Sequence, residues 1–487
     1  MTIQSIRSSN SNAHSIGTAN TRAIPFYNIL WAEVTDSELT IRYAHPTSKD
    51  SVRAEQVKYP IEYQQVELAN RWVARLLDRS YKESQQKKRI MVLVNPHAGK
   101  GSAEKWYARD VEPLLKAANC VFDMVKTTYS GEAVDLMARL DIEDYDVVAS
   151  CSGDGLPHEV FNGLGKRRDA KRALSKIAVV NLPCGSGNAM SWNLNGTGST
   201  SVATLAVIKG IVTPLDLVSI TQGETRTLSF LSQSVGIVAE SDLATEHLRW
   251  LGAQRFTYGF LVRLLSEVCY PCDIAVKVAI DDSEGIKQHH KNEQNNHEPA
   301  SERRGYKNLL ADDASASSGS EEGLPTLRYG TVGDKLPEGW ELVPYDKLGN
   351  FYCGNVSLVS FLGRLALPAN ASLTLCQMAY MAADANFFQA ALPNDGYMDL
   401  ICINGDVGRV KSVQMMLNVE KGKLFDMPGV WYRKILGYRI IPKNQDDGYI
   451  SIDGERVPFQ PFQAEVHKGL GTVLSKSGHL YETPGFT

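Results

Sequence analysis

The sequence lacks any apolar run that approaches the ~18 residues of a membrane-spanning helix, so we predict no such helix. It also lacks an excess of one charge, because 51 basic and 55 acidic residues leave a net charge of −4 at pH 7. This balance gives no electrostatic reason to expect a DNA or RNA partner. Contact with a membrane surface stays open on these grounds, because a peripheral protein needs no spanning segment.

Acidic residues are missing from the first 32 positions, which are rich in Ser, Asn and Thr. A transit peptide would be poor in acids as well, but Arg7 and Arg22 are too few basic residues to indicate one. We therefore expect residues 1–24 to be a disordered leader.

Clustered metal ligands are also absent from the sequence. Of the 8 cysteines only Cys269 and Cys272 form a C-x-x-C pair, and neither a second pair nor a histidine cluster lies nearby. Since a structural zinc site takes about four ligands, this pair alone does not predict one. We expect the cysteines to be reduced thiols in apolar cores.

The bulk composition is that of an ordinary globular protein, with 43% hydrophobic and 22% charged residues in a chain of 487. This length predicts roughly two or three domains. Residues 25–88 alternate aromatic or β-branched residues with polar ones before an amphipathic stretch. We interpret them as a β-rich N-terminal extension with one helix.

Residues 89–212 have a different pattern, in which apolar runs such as "RIMVLVNP" and "KIAVVNLP" alternate with amphipathic segments. Continuous apolar runs are typical of strands buried on both faces, and this alternation predicts a doubly wound parallel sheet. We therefore predict an α/β nucleotide-binding domain, whose ligands lie beyond the carboxyl ends of the strands.

Residues 213–487 contain mostly short strand patterns separated by turn residues, which predicts a β-rich, sandwich-like C-terminal domain. Within it, residues 281–327 are polar and rich in Ser, Asn, His and charged residues. A segment of this composition buries too little apolar surface to fold, so we predict a disordered insertion there.

Three glycine-rich turns follow predicted strands of the α/β domain: "NPHAGKG" at 95–101, "SGDG" at 152–155 and "LPCGSGNAM" at 182–190. One such turn is weak evidence, but three at equivalent strand ends would converge on one edge of the sheet. Their backbone N–H groups would there form an anion cradle, which indicates a nucleotide. The first turn departs from the Walker A pattern, so a scaffold other than the P-loop is implied.

Asp154 stands inside this cradle, where an acid would repel phosphates unless it holds a metal or accepts a proton from a nucleophile. The alternative is that Asp154 caps the helix that follows it, as aspartate often does. The sequence alone leaves both interpretations open.

Two further groups of charged residues occur in the β-rich part. Asp242 and Arg249 share one face of a predicted helix, and Arg255 follows six residues later. A solvated face with ion pairs is the alternative to a substrate-binding role. Near the end of the chain, Asp453 and Glu455 flank Gly454 on a predicted hairpin, which could equally be an ordinary surface turn.

These motifs together resemble the sphingoid-base (sphingosine) kinases within the diacylglycerol-kinase catalytic family. The segments "NPHAGKGSA", "SGDGLPHEVFNGL", "LPCGSGNAM", "SDLATEHLRWLGAQRF" and "DGE" occur in the order of that family. The segments "IPFYNILWA" and "MAADANFFQAALPNDGYMDL" are similar to sequences of the fungal long-chain-base kinases. The resemblance extends from residue 24 to 473, without the insertion.

The resemblance implies roles for individual residues. Asp154 would be the general base, and Ser152, Gly153, Asp154 and Gly155 would form the floor where lipid and phosphate meet. Asp242 would hold the amino and hydroxyl end of the lipid. The remaining matches belong to the nucleotide side and comprise Asn95, Pro96, His97, Thr127, Thr128, Tyr129, Ser130, Gly131, Glu159, Gly185, Ser186, Gly187, Arg249, Arg255, Asp453, Gly454 and Glu455. His97 stands where the family often has arginine, and no residue is assigned as a metal ligand.

The implied activity is transfer of the ATP γ-phosphate to the primary hydroxyl of sphinganine, phytosphingosine or sphingosine, with ATP and Mg²⁺ as cofactors. A diacylglycerol or ceramide kinase on the same scaffold is the first alternative, and a silent lipid-binding module is the second. Asp242 favours a substrate that carries an ammonium group. We expect a cytoplasmic protein with peripheral, transient association to an intracellular or plasma membrane, and a homodimer stays open.

Overall fold

The computed structural model describes residues 2–3, 22–99, 101–185, 187–244, 259, 268–295, 323–356, 387–420, 423–443, 445 and 448–482. Most of the predicted leader therefore lies outside the described residues. Its two ends pair as short antiparallel strands, β1 (Thr2–Ile3) and β2 (Arg22–Ala23).

The N-terminal module, residues 22–81, is a three-stranded antiparallel sheet with one helix. The strands are β3 (Ile29–Val34), β4 (Glu38–Ser48) and β5 (Ser51–Pro60). The helix α1 (Val66–Tyr81) packs on β3 through its buried side chains, which include Val73 and Leu76. A sheet this small needs such a cover to exclude water from its apolar face.

Two buried lysines fix the N-terminal module and the linker after it to the domain that follows. Lys209 Nζ donates to the carbonyl oxygens of Ile29, at 2.5 Å, and Ser80, at 3.2 Å, and lies 3.4 Å from the centre of the Tyr81 ring. Lys88 Nζ donates to the Ile208 carbonyl at 2.7 Å. Burial lowers the pKa of Lys209 to about 7 and that of Lys88 to about 8, which reflects how little water reaches this contact.

The α/β domain contains a parallel sheet in the order β7 (Val121–Lys126), β6 (Arg89–Val94), β8 (Val147–Ser152) and β9 (Ala178–Pro183). Its helices are α2 (Ala103–Trp106), α3 (Glu112–Ala117), α4 (Glu132–Arg139), α5 (Gly155–Gly165), α6 (Ala170–Lys176), α7 (Ala189–Asn195) and α8 (Thr200–Ile208), with a π-helical turn at Tyr107–Val111 between α2 and α3. The sheet is covered on both faces, so the prediction of a doubly wound domain is confirmed.

Each face of this sheet contributes to a different core. Leu93, Val148 and Val179 pack with residues of α4, α5 and α7, whereas Val92 and Ala149 pack with α3, α8 and the N-terminal module. Alternate residues of a strand point to opposite faces, so continuous apolar runs were required here.

The C-terminal part is β-rich, as predicted. Its strands are β10 (Ile211–Gln222), β11 (Thr225–Ser229), β12 (Ser232–Gly236), β13 (Cys272–Ile280), β14 (Glu341–Tyr345), β15 (Leu348–Gly354), β16 (Met398–Asn404), β17 (Val430–Pro442), β18 (Ile450–Ile452), β19 (Glu455–Val457) and β20 (Phe462–Ser475). All the pairs among them are antiparallel. The helices in the described residues of this part are α9 (Ile237–Leu243) after β12, α10 (Ser283–Asn295) after β13 and α11 (Arg409–Glu420) after β16.

The strand β20 joins the two parts into one sheet. It pairs antiparallel with β10 over most of its length and parallel with β9 at Val473 and Val179. The β-rich part therefore continues directly from the edge of the parallel sheet, and residues from both parts can meet at one site.

The prediction of a disordered segment over residues 281–327 is wrong for Ser283–Asn295, which forms the helix α10. Ile286 of this helix is fully buried in an apolar core, and His289 Nε2 lies 3.2 Å from the buried Asp395 carboxylate. Lys287 adds an ion pair with Asp426 at 2.9 Å, and His290 is buried as well. These contacts with distant parts of the chain fix the helix, and composition did not reveal them. Residues 296–322 lie outside the described residues.

Every cysteine within the described ranges is a free thiol, including Cys269 and Cys272. Among the helices of the described residues, none is long and apolar enough to cross a membrane.

Candidate functional site

The three glycine-rich turns meet at the carboxyl edge of the parallel sheet. The turn after β8 and the turn after β9 touch through their backbones, since a Cβ atom on Gly185 would overlap Gly153, and one on Gly153 would lie 2.8 Å from the Gly187 carbonyl oxygen. A Cβ on Gly99 of the first turn would lie 2.7 Å from the Cys184 carbonyl oxygen. The glycines are therefore required because the three backbones approach too closely for a side chain.

The amides of Gly99 and Gly153 have no hydrogen-bond partner within the described ranges. Other amides of the turns are used internally: Gly185 N donates to the Ser152 carbonyl at 3.0 Å, and His97 N to the Asn95 side chain at 2.9 Å. The arrangement thus combines a fixed backbone frame with N–H groups that remain available to an anion.

Asp154 is at the start of α5 but does not cap it, because its carboxylate makes no bond to that helix. Instead, its two oxygens accept the amides of Ala189, at 2.8 Å, and Met190, at 3.0 Å, which are the first residues of α7. The alternative that Asp154 caps α5 was therefore wrong, since its carboxylate accepts amides of α7 instead. This contact fixes the carboxylate between two helix N-termini and leaves a lone pair on each oxygen.

Asp154 is half-buried, and its pKa is raised to about 6. Burial is the main cause, and the charge of Asp453 adds to it, whereas the two α7 amides lower the pKa. A carboxylate with this pKa is ionised at neutral pH and yet a stronger proton acceptor than an exposed one.

Glu159 lies one turn further along α5 and faces the loop that follows β7. Its carboxylate accepts the amide of Ala133 at 3.2 Å, at the start of α4. Burial raises its pKa, while the amides of Gly131 and Ala133 lower it. The loop itself is closed by Glu132, which accepts the amide of Thr128 at 2.5 Å. Glu159 thus fixes the position of the loop formed by residues 127–131.

Asp453 lies in the hairpin between β18 and β19 in a left-handed conformation, with φ of 52°, and its side chain is fully buried. One oxygen accepts the Ser229 hydroxyl at 2.5 Å and two amides from residues 231–232, each at 3.0 Å. The other accepts the Phe230 amide at 3.1 Å and lies 2.8 Å from His158 Nδ1. Five contacts occupy this carboxylate, so it has no free position for a nucleotide or a metal.

His158 connects the two parts of the protein. It lies on α5 one turn after Asp154 and forms an ion pair with Asp453 at the other side of the site. Burial by itself would lower the pKa of His158, but the hydrogen bond and the charge of Asp453 raise it above the ordinary value. The hairpin is thereby fixed against α5.

Glu455 is the acid of the hairpin that remains exposed to solvent. Its Oε1 atom would lie 3.2 Å from a Cβ atom on Gly155, at the start of α5. The paired Asp453 thus positions its neighbour Glu455 beside the turn that contains Asp154. An alanine at position 155 would displace that carboxylate.

The structure brings most of the predicted site residues to this one edge. They are Asn95, Pro96, His97, Thr127, Thr128, Tyr129, Ser130, Gly131, Ser152, Gly153, Asp154, Gly155, Glu159, Gly185, Gly187, Asp453, Gly454 and Glu455. Asp242 belongs to α9, but its side chain lies outside what the structure describes, as do Ser186, Arg249 and Arg255 entirely.

Three features of the candidate site were missed from the sequence: His158, the Ser229–Ser232 turn that donates to Asp453, and the α7 amides that donate to Asp154. His158 stands within the "SGDGLPHE" segment, four residues after Asp154, so helical spacing placed both on one face. No local pattern marks the other two, because they depend on contacts between distant parts of the chain.

Comparison with known protein families assigns residues 89–220 to the diacylglycerol kinase catalytic domain. Residues 3–82 match a domain of unknown function, DUF7493. The first match contains all three glycine turns and Asp154, and the second contains the N-terminal module with α1.

Relatives with similarity over most of the chain include two fungal proteins. One is sphingoid long chain base kinase 5 of Saccharomyces cerevisiae, at 34% identity over 84% of this chain and 62% of the relative. Another is sphingoid long chain base kinase 4 of Schizosaccharomyces pombe, at 31% identity over 93% of this chain and 88% of the relative. Human sphingosine kinase 2 is 28% identical over 80% of this chain and 71% of the relative. The chain thus spans under two thirds of the S. cerevisiae protein but most of the other two.

Proposed function

The chain belongs to the sphingoid long-chain-base kinases, and from this premise we propose that it transfers the γ-phosphate of ATP to the primary hydroxyl group of a sphingoid base. The observation that carries the proposal is the position of Asp154. A half-buried carboxylate with a pKa of about 6 stands where three glycine turns meet, and two α7 amides fix its orientation.

Asp154 is the general base of this proposal. The lipid hydroxyl is a weak nucleophile, and a carboxylate whose pKa lies close to neutrality accepts its proton as the bond to phosphorus forms. The amides of α7 restrict the carboxylate to one rotamer, so its free lone pairs point to a constant position. Ser152, Gly153 and Gly155 form the surrounding floor, where the hydroxyl and the phosphate meet.

The nucleotide occupies the carboxyl edge of the sheet in this proposal. Phosphoryl transfer depends mainly on positioning and on neutralising phosphate charge, and the N–H groups of the glycine turns supply both. Residues assigned to the phosphates are Asn95, Pro96, His97, Gly185, Ser186, Gly187, Arg249 and Arg255. The adenosine side is assigned to Thr127, Thr128, Tyr129, Ser130 and Gly131, the loop that Glu159 positions.

Magnesium fits the acids at this edge as a partner shared with ATP. Within the described residues, no three His, Cys, Asp or Glu side chains form a metal site by themselves. Mg²⁺ commonly takes one or two carboxylates and completes its shell with phosphates and water. Glu455 is the exposed carboxylate in a suitable position, whereas the Asp453 carboxylate is fully occupied. When bound, Mg²⁺ would neutralise charge on the phosphates.

The lipid is assigned to the β-rich part beside α9. Asp242 of that helix would pair with the ammonium group of a sphingoid base, a group that ceramide and diacylglycerol lack. Its long alkyl chain needs an apolar cleft, which this part of the fold can supply. We further propose a cytoplasmic location with transient, peripheral association to a membrane, and we leave a homodimer as an open part of the proposal.

The experiment that tests the function is phosphate transfer from labelled ATP and Mg²⁺ to lipids in detergent. The panel contains sphinganine, phytosphingosine, sphingosine, ceramide and diacylglycerol. Transfer confined to the three free bases would support both the activity and the role of Asp242. Transfer to ceramide or diacylglycerol instead would favour the alternative lipid kinase, and no transfer to any lipid would favour the silent binding module.

A further inference from the structure

The helix α1 of the N-terminal module has an exposed face that no other described element covers. Leu68, Trp72, Arg75 and Arg79 follow the spacing i, i+4, i+7 and i+11, so they form one line along the helix, which we name the α1 stripe. Leu68 is 67% and Trp72 38% exposed. The buried residues of the helix, such as Val73, lie on another face that packs on β3, so the stripe lies outside the buried core.

Basic residues are in slight excess at this end of the helix, where Arg75, Arg79 and Lys82 outnumber the acids Asp78 and Glu83. Arg75 and Arg79 form no ion pair with any of the described residues, and neither does the adjacent Lys82. By contrast, the neighbouring Arg71 pairs with Glu67 at 3.0 Å. The acids of the helix, Glu67 and Asp78, lie to one side of the stripe rather than within it. The line itself therefore combines apolar and positive side chains.

Exposed aromatic residues extend the stripe at both ends. Tyr63, just before α1, is 85% exposed. At the other end Phe26 is 38% exposed and lines a shallow cavity together with the basic Arg79 and Lys82 and the acidic Asp78 and Glu83. At 1.5 Å per residue, the distance from Tyr63 to Arg79 is roughly 25 Å. Aromatic, aliphatic and cationic side chains on one exposed helix face and beside its ends are the composition of helices that lie in a membrane interface.

A second copy of the chain is a poorer occupant of this surface. A symmetric dimer across the stripe would bring Arg75 and Arg79 close to the same arginines of the other copy, and like charges oppose that contact. An anionic lipid surface instead complements the unpaired cations and accepts Leu68 and Trp72 at its boundary.

We propose that the α1 stripe docks the protein on an anionic phospholipid bilayer. This inference rests on the proposed function in that the enzyme must obtain a lipid substrate, but it concerns a surface separate from the candidate active site. Lys209 ties the end of α1 to the α/β domain, so docking through the stripe would orient the whole catalytic unit.

The test is cosedimentation of the full chain with vesicles of phosphatidylcholine, alone or with part of it replaced by phosphatidylserine. Arg75→Ser/Arg79→Ser should lower partition onto the anionic vesicles about 25-fold, at about fivefold for each arginine near the surface. Leu68→Ser/Trp72→Ser should lower partition about tenfold or more on the same vesicles. Added salt should weaken wild-type binding.

The matched control is Leu342→Ser/Lys335→Ser, which removes one exposed apolar and one exposed cationic side chain from the β-rich part. It should bind anionic vesicles as the wild type does. All variants should keep the wild-type melting temperature and the wild-type rate of phosphate transfer in detergent, since neither depends on docking.

The proposal is overturned if stripe and control variants bind anionic vesicles equally, or if the wild type does not bind them. It is also overturned if sedimentation shows a dimer that Trp72→Ser converts to a monomer, because the stripe would then be a subunit interface. Absence of phosphate transfer in detergent, with vesicle binding as expected, would count against the kinase activity and in favour of docking.

Discussion

Asp154 and Asp453 occupy nearly identical local sequences, each followed by glycine and each at a turn beside the same helix α5, yet their surroundings differ. The Asp154 carboxylate accepts two amides and keeps free lone pairs, and its pKa is raised to about 6. The Asp453 carboxylate makes five contacts and is fully buried. The first carboxylate keeps hydrogen-bond capacity for a ligand, whereas the second has none left.

The difference shows how the number of hydrogen-bond donors around a carboxylate limits its capacity to bind a further ligand or proton. An acid with unfilled lone pairs in a partly desolvated position can accept a proton from a substrate. An acid whose lone pairs are all filled cannot do so without breaking bonds that stabilise the fold. The resemblance implied a position on the nucleotide side for both acids of the hairpin, but only Glu455 is exposed to solvent there.

The largest expected effect is that of Asp154→Asn on catalysis. The amide cannot accept a proton, so kcat should fall about 10²-fold to 10⁴-fold while ATP binding is retained. Loss of one acceptor for an α7 amide is offset by removal of a half-buried charge, so the free energy of unfolding should change by about 1 kcal/mol or less. Steady-state kinetics with a melting curve measures both, and a kcat close to wild type would remove Asp154 from the base role.

The second largest expected effect is the loss of stability caused by Asp453→Ala. This change leaves the Ser229–Ser232 amides and the buried His158 without their partner, so the free energy of unfolding should fall by about 3–5 kcal/mol. Denaturant titration measures it. The exposed Asp406, paired with Lys347, is the matched control, and Asp406→Ala should cost about 1 kcal/mol or less. Equal losses in the two variants would mean that the contacts of Asp453 contribute little.

Glu455→Gln should separate the two acids of the hairpin. The fold should keep its wild-type stability because Glu455 is exposed, whereas the KM for MgATP should rise roughly 10-fold to 100-fold if this carboxylate contacts the metal. Kinetics at several Mg²⁺ concentrations would detect the change, with Glu338→Gln as an exposed control. An unchanged KM would assign Glu455 only to the favourable charge at the start of α5.

The smallest effect is the pH dependence of the contact between His158 and Asp453. The pKa of folded His158 is raised, so its stabilising charge is fully present below the ordinary histidine value of about 6.5 and is lost as pH rises through the folded value. The loss of unfolding free energy in His158→Asn should therefore be larger near pH 6 than near pH 8.5. A loss independent of pH would show that His158 acts without its charge.

Much of the fold could be predicted from the sequence. Continuous apolar runs such as Val147–Ser152 indicated buried parallel strands, and short alternating runs indicated the β-rich part. The three glycine turns could be assigned to one edge of the sheet because carboxyl ends of parallel strands lie together. The helix Ser283–Asn295 was missed because composition gave no sign of the core that buries Ile286.

The site was predicted less completely than the fold. Residue identities near Asp154 indicated chemistry but left open that Asp154 caps its own helix, whereas its carboxylate accepts amides at the start of α7. The same patterns did not distinguish the roles of Asp453 and Glu455. Asp453 is buried and Glu455 exposed because amides of Ser229–Ser232 and the side chain of His158 bind Asp453. These groups are more than 200 residues away in the chain.

The sequence by itself determined which strands are buried, where the chain turns through glycine and which acids stand at those turns, because periodicity and backbone freedom are local properties. Only the tertiary structure decided which acid remains available for chemistry. Hydrogen-bond capacity is filled by whatever groups the fold brings near, and β20 brings the β-rich part against the parallel sheet, where its hairpin reaches α5.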